Sequence, residues 1–232
     1  VSSAFDELRQ VQFEITNQCN YAAQHPKCPA SKVTSPNTLE SEIVFKVFDW
    51  LGENDYTGEV MFSIYNEPMT DPRLFWFIRE LNVRVPKATV YVITNGWNLD
   101  QKMLNELHKA CRVRVIANGY TPEEQARLGP LSGATLRTGH LDNRIHMYEN
   151  KSGHEGRVCH AVARNFAVWN TGEVALCCYD WKHSIVFGDL HTQTPDEILD
   201  SPERARLVKL TEAGRRSETP VCKGCIRVWS GQ

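Results

Sequence analysis

The sequence predicts an α/β fold: parallel strands joined by crossover helices over residues 1–155, then a small α+β unit over residues 156–232. Three observations predict it. Strand-like and helix-like hydrophobic periods alternate along the first unit, the rhythm of parallel strands with right-handed crossovers. Polar or cysteine-containing stretches follow the strands, where parallel sheets present their ligands. After Gly156 the pattern changes to a hairpin and short helices, and Cys159, Cys177, Cys178, Cys222 and Cys225 all fall there.

The elements follow in order. Val11–Thr16 (VQFEIT) alternates as a short strand. Leu39–Leu51 places Ile43, Val44, Val47, Phe48 and Leu51 on one helical face. Glu59–Tyr65 is a second strand. Asp71-Pro72 opens a helix through Leu81, with proline in the first turn, where its missing N–H costs nothing. Thr89–Thr94 is a third strand, and Asp100 caps a helix over Gln101–Ala110. Arg112–Ala117 is a fourth strand, Pro122–Leu128 a short helix and Asn143–Glu149 a fifth strand. In the second unit, Phe166–Trp169 and Glu173–Cys177 flank Asn170-Thr171-Gly172, a hairpin turn. Thr194 caps a helix over Pro195–Leu199, and another covers Pro202–Ala213. This tail is too short to bury a core by itself, so a metal centre is expected to hold it.

Composition excludes several classes. The net charge is −2 with basic residues scattered, so nothing argues for nucleic acid. No apolar run approaches the ~20 residues of a membrane span. The chain starts at Val1 without a charged-then-apolar leader, and a cytoplasmic location is expected. Eight cysteines suggest either a secreted disulfide framework or metal binding. The long, well-patterned core needs no covalent staples, which favours metal binding in a reducing compartment.

The strongest chemical signal is Cys159, Cys177 and the Cys222-x-x-Cys225 knuckle. Two thiolates in one C-x-x-C turn reach a common centre, and four thiolates complete the shell of an iron–sulfur cluster. Zinc accepts the same four, so the ligands alone leave the metal open. Cys178 rivals Cys177, since a strand aims alternate residues at opposite faces. Cys111, closing a helix, reads as core, and Trp50, Trp76 and Trp97 read as packing residues.

Cys159…Asn-Thr-Gly-Glu-Val-Ala-Leu-Cys177…Phe187-Gly188-Asp189-Leu190…Pro220-Val-Cys222-Lys-Gly-Cys225 resembles the shortened "twitch" form of the SPASM auxiliary-cluster domain. The order of parts in Val11–Asn118 resembles the radical S-adenosylmethionine (SAM) partial barrel, so the resemblance covers nearly the whole chain. It extends to the aminocyclitol dehydrogenases of the twitch subgroup. It implies a partial parallel (β/α) barrel plus a small α+β cluster domain, with one [4Fe–4S] cluster on Cys159, Cys177, Cys222 and Cys225. Tyr65-Asn66-Glu67-Pro68 resembles the family's G-G/N-E-P motif, with Tyr replacing the first Gly. There, backbone and carboxylate hold the methionyl amino group of SAM. Thr94-Asn95-Gly96 resembles the T-N-G near the SAM ribose. Asn118 and Lys151 are weaker substrate candidates, with Lys151 standing where relatives carry Arg; Asp142 and His146 are further residues for the barrel mouth.

The family normally shows C-x3-C-x2-C after the first strand, three thiolates that leave one iron free to chelate SAM. This sequence reads Cys19-Asn-Tyr-Ala-Ala-Gln-His25-Pro-Lys-Cys28, with two extra residues and no middle cysteine. Three explanations stand open. His25 serves as the third ligand, as imidazole does in Rieske centres. Or Ala22 or Ala23 replaces a cysteine. Or the site is degenerate and SAM is not cleaved.

The resemblance implies that a reduced cluster on Cys19, His25 and Cys28 cleaves SAM to a 5′-deoxyadenosyl radical, which takes a hydrogen atom from a small molecule such as a sugar or aminocyclitol. The auxiliary cluster then accepts the second electron, giving net dehydrogenation. An external donor such as flavodoxin or ferredoxin is the implied partner. A redox-neutral epimerase or lyase, or a non-catalytic iron–sulfur or zinc protein, are the alternatives.

Overall fold

The computed structural model describes residues 3–139, 141, 143–145 and 156–225. Its frame is one eight-stranded sheet in the order β5-β4-β3-β2-β1-β6-β7-β8. The strands are β1 (Gln10–Phe13), β2 (Glu59–Met61), β3 (Thr89–Thr94), β4 (Val113–Gly119), β5 (Ala134–Thr138), β6 (Asn165–Val168), β7 (Glu173–Ala175) and β8 (Val186–Asp189). The pairs from β5 to β6 are parallel, and β6-β7-β8 are antiparallel. The hairpin of the C-terminal unit thus extends the N-terminal sheet directly, with Val11 paired to Phe166.

The helices are α1 (Ser3–Glu7), α2 (Ser41–Glu53), α3 (Leu74–Arg84), α4 (Gln101–Ala110), α5 (Pro122–Leu128), α6 (Ala161–Arg164), α7 (Pro195–Leu199), α8 (Pro202–Glu212) and α9 (Pro220–Lys223). The caps follow their side chains. Asp100 accepts from Met103 N–H, and Thr121 and Thr194 each form a reciprocal capping box with the Glu three residues on. No helix among the described residues is long and apolar enough to cross a membrane.

The core lies between sheet and helices. Phe13 meets Phe48 edge-on at 5.7 Å and stacks on Phe62 at 6.0 Å, and Phe62 stacks on Phe77 at 6.3 Å. Each such buried ring contributes about 1.5–3 kcal/mol. The alternation of β1 sends Val11 and Phe13 into this core. Gln12 and Glu14, equally buried, face the other side.

One expectation changes. The expected strand Asn143–Glu149 is not found: Asn143, Arg144 and Ile145 lie outside any strand, and 146–149 are outside the described residues. The fifth strand is Ala134–Thr138, an edge strand whose exposed polar positions hide its period. The tail does not bury a core by itself: its apolar side chains join that of the first unit. Phe166, Val168, Leu176, Phe187, Leu199 and Leu207 belong to the same buried cluster as Val11 and Phe13. Trp50 stacks obliquely on Phe166 at 5.3 Å and donates to Asp196 Oδ1 at 2.9 Å. Lys46 Nζ donates to the carbonyls of Leu190 and Gln193 at 2.6 and 2.8 Å. Trp50 is the packing residue expected, and Trp76, though 41% exposed, packs on Phe45 at 4.9 Å and Phe77 at 5.5 Å; Trp97 is 40% exposed.

Candidate functional site

The loops after β1, β2, β3 and β4 converge at one end of the sheet. They enclose a cavity of about 70 Å³ lined by Cys19, Ala22, His25, Cys28, Asn66, Glu67, Thr94, Asn95, Asn118, Tyr120 and Arg144. The cysteine loop is a chain of tight turns. Ala22 N–H donates to the Cys19 carbonyl, His25 N–H to Tyr21 and Cys28 N–H to His25, at 2.9–3.0 Å. This winding turns His25 inward. It is only 5% exposed, so it is no solvated loop residue. Ala22 shares its wall, whereas Ala23 is exposed.

The two sequence motifs lock this mouth together. Glu67 Oε1 accepts from Thr94 Oγ1 at 2.6 Å and Met69 N–H at 3.0 Å, and Oε2 accepts from Asn95 N–H at 2.6 Å. Glu67 N–H donates to the Gln18 carbonyl at 2.9 Å, tying the loop to the cysteine segment. Burial pushes the Glu67 carboxyl up despite these donors. Asn66 closes its own turn, accepting from Ile64 N–H at 3.0 Å and donating to the Phe62 carbonyl at 3.1 Å. Pro68 starts a short 3₁₀ turn. Asn95 Nδ2 donates to Asn20 Oδ1 at 2.7 Å and points at Cys19 Sγ at 3.9 Å. Gly96 has φ +78, and a Cβ there would strike Leu128. Asn118 Nδ2 donates to the Thr94 carbonyl at 3.3 Å.

Burial pushes the Cys19 thiol up to about 12, with the charges of Glu67 and Cys28 adding to it. It also raises Cys28, against the pull of Arg144, whose Nη1 lies 4.0 Å from Cys28 Sγ. Arg144 is held there by its N–H to the Lys27 carbonyl at 2.8 Å.

The second thiol group forms where the tail folds back. Cys177 feels the charges of Cys178, Cys222 and Cys225, and Cys222 those of Cys225 and Cys159. Burial is the main cause that raises both thiols, up to about 12 for Cys222. Cys159 N–H donates to the Thr211 carbonyl at 3.0 Å, and Arg216 Nη2 to the Cys225 carbonyl at 3.1 Å. Cys178 is not turned away as strand alternation predicts. β7 ends at Ala175, and the chain enters a turn in which Asp180 N–H donates to the Cys177 carbonyl at 3.0 Å. Cys178 therefore also feels Cys225 and Cys159. Buried Asp180 fixes this turn by accepting from Ser184 and Ile185 N–H at 3.0 and 2.9 Å. Among the described residues, no group of three or more His, Cys, Asp or Glu side chains is arranged to hold a single metal ion.

A larger cavity of about 500 Å³ adjoins both groups. Cys178 and Tyr179 line one side, Gln12, Tyr65, Asn118, Tyr120, Arg137 and Arg144 others. Tyr65 also lines the smaller cavity and stacks on Trp169 at 6.0 Å. Sequence reasoning missed Gln12, Tyr120, Arg137 and Arg144. Gln12 carried no signal, since it stands with Glu14 on the polar phase of VQFEIT. Arg144 sat in a stretch read as strand. Lys151, Asp142 and His146 lie outside the described residues.

Residues 159–226 match SPASM, an iron–sulfur cluster-binding domain. The chain is 23% identical over 231 residues to the S-adenosyl-L-methionine-dependent 2-deoxy-scyllo-inosamine dehydrogenase of Niallia circulans, covering 94% of this chain and 92% of that protein. Its fold superposes on BtrN in complex with AdoMet and 2-DOIA with a TM-score of 0.83, at 20% identity and covering 95% of this chain and 94% of that one. It also superposes on anSMEcpe with bound AdoMet with a TM-score of 0.62, at 13% identity, covering 94% and 88% of the two chains.

Proposed function

We propose that this chain is a radical SAM enzyme of the twitch/SPASM subgroup that dehydrogenates a hydroxyl of a small sugar- or cyclitol-like molecule. The carrying observation is the adjacency of two sites. Cys19, His25 and Cys28 share a wall with Glu67, Thr94 and Asn95, and the second thiol group borders the adjoining cavity through Cys178.

The donor sets fit the groups this family uses. Two thiols and a buried imidazole offer three ligands and leave one position for SAM. Cys159, Cys177, Cys222 and Cys225 offer four, and a cubane cluster, unlike a single ion, holds its cysteines apart at its corners. Metal loading must displace the protons that burial keeps on these thiols. When bound, SAM and its cluster supply a 5′-deoxyadenosyl radical, and the auxiliary cluster supplies a sink for the second electron.

The chain's own residues prepare the site. Glu67 holds the loops after β2 and β3 in register, so the backbone there faces the cavity in a fixed arrangement. The Asn95 amide and the Arg144 guanidinium stabilise negative charge at Cys19 and Cys28. Met61, Ile64 and Ile93 give the larger cavity an apolar side. A flavodoxin- or ferredoxin-type donor and a reducing, cytoplasmic setting suit such clusters.

The test is anaerobic turnover with reconstituted clusters and candidate polyols. The reading expects one 5′-deoxyadenosine and one ketone per turnover, with two reducing equivalents recovered. Turnover that returns an epimer or elimination product, with no reducing equivalents, replaces dehydrogenation by a redox-neutral reaction.

A further inference from the structure

We propose that the Tyr65 hydroxyl donates a hydrogen bond to a sulfur of the iron–sulfur cluster held by the C-terminal thiols, and so sets the potential at which that cluster takes up an electron. The inference rests on the cluster reading above and adds a tuning residue to it. Tyr65 is 6% exposed, and its Oη is buried without a hydrogen-bond partner among the described residues. A buried hydroxyl left unpaired is costly, so this position calls for an acceptor from a bound group. Tyr65 lines both the 70 Å³ and the 500 Å³ cavities, and so stands where the two cysteine groups approach each other.

The surroundings say which group supplies the acceptor. Tyr65 packs in one small buried group with Cys28, Ala30, Trp169 and Ala175. Ala175 ends β7, two residues before Cys177, so this packing joins the cysteine loop to the C-terminal turn. Burial pushes the Tyr65 hydroxyl well above its usual range, and the charges of Cys178, Cys177 and Cys28 add to it in that order. Both residues of the C-terminal turn thus act on the hydroxyl more strongly than Cys28 does. A neutral phenol has one proton to donate, and sulfur bearing negative charge is the acceptor beside it. The residue is held at both ends. Its ring stacks on Trp169 at 6.0 Å, and its N–H donates to the buried Glu14 carboxyl. Tyr120 lines the same two cavities, but its hydroxyl accepts from Arg144. A hydrogen bond donated to cluster sulfur favours the reduced state, which carries one more negative charge, and so raises the reduction potential. That suits a cluster serving as the sink for the second electron.

Tyr65→Phe tests this, because it keeps the ring and its stacking and removes only the hydroxyl. The reconstituted full chain is titrated with and without Tyr65→Phe in a Cys19→Ala background, which leaves the C-terminal cluster alone and keeps Cys28 where it packs on Tyr65. Iron should stand at about four per chain in both proteins. In redox titration followed by electron paramagnetic resonance, the reduced-cluster signal of the Tyr65→Phe protein should appear at lower potential. Electron–nuclear double resonance in water and in D2O should show one exchangeable-proton coupling fewer. SAM affinity, measured without Cys19→Ala, should hold. An unchanged or raised potential, or an unchanged set of couplings, overturns the proposal. Weakened SAM binding also overturns it, because it would place the hydroxyl in the cofactor pocket. Absence of iron from the Cys19→Ala protein overturns the cluster reading itself, and the proposal with it, so the two failures are told apart by iron content before any potential is read.

Discussion

The two cysteine groups are built in opposite ways. The N-terminal group draws Cys19, His25 and Cys28 from one short loop of successive tight turns, so its geometry is set locally. The C-terminal group draws from three places: the lead-in to α6, the turn after β7, and α9 with the turn that follows it. Its geometry depends on the sheet that brings them together. A local site tolerates irregular spacing, because a loop can rewind around two extra residues. An assembled site cannot, because each ligand position is fixed by packing elsewhere.

The largest expected effect breaks the local site. Cys28→Ala should bring 5′-deoxyadenosine formation down to background, since the loop holds no spare thiol. Iron should fall by about half, because a [4Fe–4S] cluster is lost whole. The assembled site should behave differently. Cys225→Ala should stop substrate oxidation yet leave SAM cleavage in place. The tail shares its core with the barrel, so far-UV circular dichroism should be preserved. A tail that unfolds without its cluster would show that the metal, and not Phe166 and Leu207, holds it.

How much of this was legible in the sequence follows the same division. β3, α4 and α7 were legible to within a residue, because a strict period or a cap writes each boundary locally. β5 was not, since only Ala134 and Leu136 mark its inner face. Cys19, Cys28, Glu67 and Asn95 were legible as loop residues after strands. That Glu67 receives Thr94 and Asn95 at once was not, because it depends on β2 pairing with β3. Cys178 was misjudged for want of one fact, that β7 stops at Ala175. Arg137 and Arg144 became visible only when topology placed them on the cavity wall.

Smaller effects sharpen the account of the mouth. Glu67→Ala strands the Asn95 N–H and Thr94 hydroxyl in a buried place, and should cost about 2–4 kcal/mol of stability by denaturant titration. SAM affinity should drop with it, and unchanged affinity would remove Glu67 from the site. The last effect lies just past β1. Burial raises the Glu14 carboxyl from 4.5 to about 8. The folded chain therefore keeps a proton that the unfolded chain loses, and stability falls as pH rises between about 4.5 and 8. Glu14→Gln should flatten that slope, stabilising the fold at pH 7 and changing little at pH 4. A slope unchanged by the substitution would mean that Glu14 is ionised in the folded protein.

The central claim is that His25 completes a second cluster where the family uses cysteine. Iron and sulfide per chain, measured after anaerobic reconstitution for the parent and for His25→Ala, test it most directly. The account predicts about eight irons in the parent and about four in His25→Ala, with 5′-deoxyadenosine formed only by the parent. About four irons in both proteins, and no gain from Ala22→Cys, would contradict it and leave the C-terminal group as the chain's one cluster.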